Sequence, residues 1–167
     1  MISDHTNRNT IIISALWCCG KTTLYKTSTR YSIIDLDEIL EVPKKEYSPH
    51  KSIPWLHHIK ECIGKYDFVF LSIRREVLDT LQENHLPYIL VFPENTEENK
   101  KEWERRNKER GTEWMWNINK YAWNSILENL KYDPYAIGKY ELKSNQYLSD
   151  IIDYIYTEHS YLLSKIM

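Results

Sequence analysis

Four short runs rich in β-branched and aromatic residues interrupt an otherwise polar chain: "TIIIS" at 10–14, "YSIIDLDE" at 31–38, "YDFVFLS" at 66–72 and "PYILVFP" at 87–93. Each has strand length, and the continuous apolar stretches of the first and third predict burial on both faces. The second ends in carboxylates and the fourth closes at Pro93. Between them the pattern changes to a helical one, over 22–27, over 55–64 with Gly64 as a stop, and over the amphipathic stretch 75–85. Residues 42–53, with Pro43, Pro49 and Pro54 at or near their borders, read as a loop. After the fourth strand comes a charge-dense helix over 96–110, "TEENKKEWERRNKER", stopped by Gly111, and then a second helix over 113–130. A fifth strand over 138–144, "GKYELKS", and a helix over 147–163 carrying Leu148, Ile151, Ile152 and Ile155 complete the pattern.

Strand–helix alternation repeated in this way implies an α/β fold with a five-stranded parallel sheet and helices on both faces. A chain of 167 residues, 42% of them hydrophobic, suits one domain spanning 1–167. The formal net charge of −2 removes the electrostatic footprint expected of a non-specific nucleic-acid binder. Cys18, Cys19 and Cys62 have the spacing of neither a disulfide framework nor a zinc site and read as buried thiols in a reducing compartment. The N-terminus is polar, and no stretch approaches the ~20 apolar residues of a membrane span. A cytoplasmic protein with no membrane partner is the expectation.

The chemistry begins where the first strand ends. Residues 14–23 read "SALWCCGKTT". Gly20, Lys21, Thr22 and Thr23 have the composition of a phosphate-binding loop, in which successive backbone N–H groups point at phosphate oxygens at a helix N-terminus. Lysine adds a point charge, and the following hydroxyl ligates Mg²⁺. Backbone groups supply the cradle, so side chains are tolerated where they project outward. Ala15 is the smallest replacement for a glycine, Cys18 and Cys19 are compact, and Trp17 must project away. The spacing Ala15-x₄-Gly20-Lys21-Thr22 after a buried strand therefore predicts a nucleotide site lined by Ala15, Trp17, Cys18, Cys19, Gly20, Lys21, Thr22 and Thr23. Asp35 and Asp37, alternating at the second strand's end, would share one face. They serve either Mg²⁺ or an attacking hydroxyl, or else Asp37 or Glu38 caps the following helix.

The stretch "IISALWCCGKTTLY", together with "IIDLDE", "YDFVFLSIRREVLDTL", "YILVFPE" and "EWERRNKERG", resembles a group of small, mostly phage-associated P-loop proteins of the nucleoside/nucleotide-kinase type. The likeness runs from Thr10 to Asp153. Their loops typically read S-A-F-P-G-x-G-K-[ST], so Ala15 fits, while Trp17 for proline and Cys18 for the inner glycine depart from it. The resemblance implies a three-layer P-loop fold, adenylate-kinase-like in element order, with a helical lid insert at about 96–130. It implies ATP as phosphoryl donor, Mg²⁺ on Thr22, and Lys21 with Asp35 or Asp37 in catalysis. Arg74, after the third strand, becomes an acceptor-phosphate or base contact, the alternative being a solvated helix start, and no acid stands there to orient a metal. Arg106 and Arg110, one helical turn apart, with Arg105 beside them, become lid arginines over the transferring phosphoryl; the alternative is a solvated, salt-bridged helix. Trp103, Trp114, Trp116 and Trp123 are either core or a stacking platform for a nucleobase. The expected function is phosphoryl transfer to a nucleoside or nucleoside monophosphate. The alternatives are a polynucleotide or modified-base kinase, and a nucleotide sensor that has lost turnover.

Overall fold

The apolar runs pair side by side in a computed structural model that describes residues 9–40 and 54–166, with side chains described as far as residue 160. Strands β1 (Ile11–Ala15), β2 (Ile33–Asp35), β3 (Phe68–Leu71), β4 (Ile89–Pro93) and β5 (Gly138–Leu142) form one sheet in the order β2-β3-β1-β4-β5. Every neighbouring pair is parallel, with Ile13 opposite Phe70 on one side and Ile89 on the other. The fold is thus α/β with a five-stranded parallel sheet flanked by helices. β1 through β4 are buried along their whole length, as strands covered on both faces must be. β5, at the edge, alternates between exposed and covered positions.

Helix α1 (Lys21–Thr27) packs against β2 and against α8 (Leu148–Ile166), which lies on β1. Helices α3 (Trp55–Cys62) and α4 (Arg75–Glu83) pack together. The short α2 (Leu36–Ile39) follows β2 directly. Between β4 and β5 stand α5 (Glu97–Arg110), α6 (Glu113–Asn119) and α7 (Trp123–Lys131). Thr96 caps α5 by accepting from the Asn99 N–H, and Gly111, at φ 82°, ends it in the left-handed conformation. Asp133, which is buried, fixes the crossover into β5: its carboxylate accepts from the Tyr88 hydroxyl at 2.8 Å and from the N–H groups of Tyr135 and Ala136.

Two expectations change, and the tryptophan alternative is decided for the core. The second strand stops at Asp35, because that side chain accepts from the Glu38 N–H and turns the chain into α2. The helix expected over 113–130 breaks into α6 and α7 around a 3-10 turn at Lys120–Ala122. Trp103, Trp116 and Trp123 are buried in the core, leaving Trp114 as the exposed member of the tryptophan set. The loop expected over 42–53 lies outside the described residues. No helix among the described residues is long and apolar enough to cross a membrane.

Candidate functional site

Parallel strands carry their ligand crevice at their carboxyl ends, near the strand where chain order reverses. Here that strand is β1, flanked by β3 and β4, and it runs straight into residues 16–20. A cavity of about 940 Å³ opens there. Its walls come from the loop and α1 (Trp17 through Thr23, and Lys26), from the end of β2 and α2 (Asp35, Asp37, Glu38), from the end of β3 (Ser72, Ile73, Arg74), and from the helices after β4.

The loop keeps its shape through its carbonyl groups. The Trp17 oxygen accepts from the Trp103 indole at 2.9 Å, the Cys18 oxygen from Arg106 Nη1 at 3.1 Å, and the Cys19 oxygen from the Leu148 N–H at 2.8 Å. The Gly20 oxygen takes the Leu24 N–H, and the Ala15 oxygen takes Lys21 Nζ at 2.7 Å. A trans peptide points its N–H opposite to its C=O, so carbonyls anchored on α5 and α8 leave the following amides facing the other way. The N–H groups of Gly20, Lys21, Thr22 and Thr23 have no hydrogen-bond partner among the described residues, and no side chain caps α1. Free amides at a helix start, with Lys21 beside them, make an anion cradle.

Two loop residues hold left-handed backbone, Cys18 at φ 63° and Gly20 at φ 96°. Gly20 has a further reason to lack a side chain: a Cβ there would stand 3.2 Å from the Tyr147 ring. Cys18 has no such dispensation and carries the strain that an L-residue bears in that region. Neither cysteine brings negative charge to the cradle. Burial raises the Cys18 thiol against the pull of Arg110, Arg106 and Lys21, and burial pushes Cys19 up to about 12.

Asp35 is 1% exposed. One of its oxygens caps α2, and the other accepts from the Thr22 hydroxyl at 3.5 Å. Asp37 therefore sits one residue into a helix rather than alternating with Asp35 on a strand, yet both carboxylates line the cavity. Burial raises both above the usual carboxylate range, opposed by Lys21, and for Asp37 also by Arg74 and Ser72. Asp37 Oδ1 is buried with no hydrogen-bond partner. Hard oxygen donors of this kind (Thr22, Asp35, Asp37) suit Mg²⁺, which binds through one or two carboxylates and keeps its remaining sites for water and phosphate. No group of three or more His, Cys, Asp or Glu side chains with metal-site geometry occurs among the described residues.

The arginines separate into three kinds. Arg106 is 5% exposed and already engaged: it donates to Glu102, to the Cys18 oxygen, and to the Ser144 and Gln146 oxygens at 3.1 and 2.9 Å. Its guanidinium lies between the Trp103 and Tyr147 rings, 4.2 and 3.8 Å from their centroids. Such a side chain positions the loop rather than swinging over it. Arg105 points to solvent, paired with Glu102 and Glu109, and does not line the cavity. Arg110 does line it, beside the Cys18 thiol, and Arg74 lines it from the β3 side. Of the cradle residues expected, only Ala15 stands outside the cavity wall, where its oxygen holds Lys21.

Sequence reasoning missed Tyr147, which packs on Gly20 and Arg106, and missed Met115, Asn119 and Ile126, which form the far wall. The signal for Arg106 lay in α5. Asn99, Trp103, Arg106 and Asn107 fall on one face at helical spacing, and Trp103 marks that face as inward.

The chain matches no protein-family model, no curated protein and no solved structure.

Proposed function

We propose that this protein transfers a phosphoryl group from ATP to a nucleoside or nucleoside monophosphate. The observation that carries the reading is the loop itself, with its carbonyls anchored outward, its amides free and Lys21 adjacent. Those amides and Lys21 take the β- and γ-phosphate oxygens. Thr22 and Asp35 would hold Mg²⁺, which when bound neutralises charge developing on the phosphates. Asp37, raised by burial and with one oxygen unpartnered, accepts the proton of the acceptor hydroxyl as its oxygen bonds to the γ-phosphorus and the bond to the β-phosphate oxygen breaks. Arg74 orients the acceptor. Arg110 stabilises charge on the transferring group, a role its planar, multi-donor head suits.

The test is thermal. MgATP raises the melting temperature of the wild type by mass action, and Lys21→Ala removes most of that shift while leaving the unliganded transition in place. Equal shifts in both would show that the loop is not the site. A screen with γ-labelled ATP against nucleosides, nucleoside monophosphates and oligonucleotides then identifies the acceptor. A second reading, nucleotide sensing without turnover, draws on Ser72 standing where a metal-orienting acid would close β3 and on the engagement of Arg106. Tight binding with no transfer to any acceptor would establish it.

A further inference from the structure

A second cavity, of about 480 Å³, lies on the side of α5 turned away from the phosphate loop. Helical spacing places Lys100 and Lys101 on that side and Arg106 and Arg110 on the other. The volume falls in the range of small-molecule sites. Lys100, Lys101 and Lys120 stand around it, and none has a carboxylate partner among the described residues. Elsewhere on α5, Arg105, Arg106 and Lys108 each have one. Lys120 lies instead over the Tyr121 ring, 5.2 Å from its centroid, and Tyr121 is 87% exposed. The inner wall is aromatic: Trp116 and Trp123 meet edge to face at 5.4 Å. Trp123 is 1% exposed, and its indole N–H is buried without an acceptor. Glu97 and Glu104 share the rim, and Glu104 is drawn to Lys108 at 3.7 Å.

Three unpaired ammonium groups, aromatic walls and an orphan donor describe one kind of occupant. We infer that this cavity binds a small molecule made of a planar ring bearing a phosphate, of mononucleotide size, at a site separate from the phosphate loop. The lysines meet the anionic group, Tyr121 offers a ring face that the neighbouring cation does not fully cover, and an anionic oxygen reaching the wall would satisfy the Trp123 N–H. The rim carboxylates accept from ring N–H groups. The inference stands independently of catalysis at the first site.

The probe is pyridoxal 5′-phosphate, a planar phosphate whose aldehyde condenses with a lysine amine, releasing water. Borohydride reduces the imine to an amine that mass spectrometry locates. Using Lys21→Ala protein keeps the loop lysine out of the reaction. The expected result is labelling at Lys100, Lys101 or Lys120 at least tenfold faster than at Lys131 or Lys143. AMP should suppress this labelling, and inorganic phosphate at the same concentration should not. Trp123→Phe, which keeps an aromatic ring and removes the donor, should weaken AMP competition about tenfold. Labelling no faster than at Lys131, or equal suppression by phosphate alone, overturns the inference. Stronger suppression by an oligonucleotide than by AMP overturns it in favour of a nucleic-acid strand.

Discussion

Replacing Arg106 by methionine separates two roles that a kinase assay alone would confuse. If this guanidinium acts on a transferring phosphoryl, its removal slows turnover and leaves the fold alone, since truncating a free surface charge changes stability by about 0.5 kcal/mol or less. The structure gives it different work. Methionine strands the Cys18, Ser144 and Gln146 oxygens, each losing a donor at 2.9–3.1 Å. At about 1 kcal/mol per half-buried acceptor and about 0.5 kcal/mol for each lost ring face, the cost comes to about 4 kcal/mol. Glu102 adds little, because Arg105 still holds it with two bonds of 2.7 and 2.9 Å. The assay is urea unfolding of the unliganded protein. With a slope near 2 kcal/mol per molar, the midpoint falls by about 2 M. ATP affinity should fall with it, because the Cys18 carbonyl is released and the amide beyond it loses its direction. Arg110→Ala is the control, expected to unfold within about 0.5 kcal/mol of wild type while losing kcat far more than it raises KM. An Arg106→Met protein as stable as wild type, with kcat alone reduced, would refute the positioning role.

Two further outcomes follow from the loop and its neighbours. Cys18→Gly relieves left-handed strain worth about 1–2 kcal/mol, partly offset by the freedom glycine adds to the unfolded chain, so urea unfolding should show a net gain of about 0.5–1 kcal/mol; a loss would mean that the thiol holds the loop. Burial raises the folded-state pKa of Asp35 and of Asp37, so their contribution favours the folded state fully below the unfolded carboxylate value and is lost as pH rises through the folded one. Asp35→Asn keeps a capping side chain and never ionises; measured by melting temperature, the unliganded variant should gain on wild type between pH 4 and pH 7. Its Mg²⁺-dependent turnover should drop by about two orders of magnitude. A variant that falls behind wild type as pH rises would reverse the sign and the reasoning.

Most of the architecture was legible because burial on both faces writes itself as unbroken apolar runs, and Ile11–Ala15, Phe68–Leu71 and Ile89–Pro93 could be placed to within a residue or two. The second strand read too long because "IIDLDE" carries no mark of where pairing yields to capping; one Asp35 hydrogen bond decides it. The break at Lys120–Ala122 was hidden for a similar reason, since nothing in "NKYAW" stops a helix and the turn is set by how Trp116 and Trp123 meet in the core. The candidate loop was legible from Gly20-Lys21-Thr22, but the means of holding its carbonyls was not. In a run such as "EWERRNKER" a buried arginine and a solvated one look alike, and only the helical phase relative to Trp103 separates Arg106 from Arg105.

The hydrogen bonds that tie Trp17 and Cys18 to α5 join residues 86 and 88 positions apart. Loop shape is usually credited to local glycines; here much of it is lent by distant helices that act on carbonyls. The segment from β1 to α1 therefore depends on α5 and on the start of α8 for the direction of its Trp17, Cys18 and Cys19 carbonyls. The same borrowing lets position 17 carry a tryptophan in place of a small residue, whereas Cys18, at φ 63°, still bears the strain of its left-handed backbone.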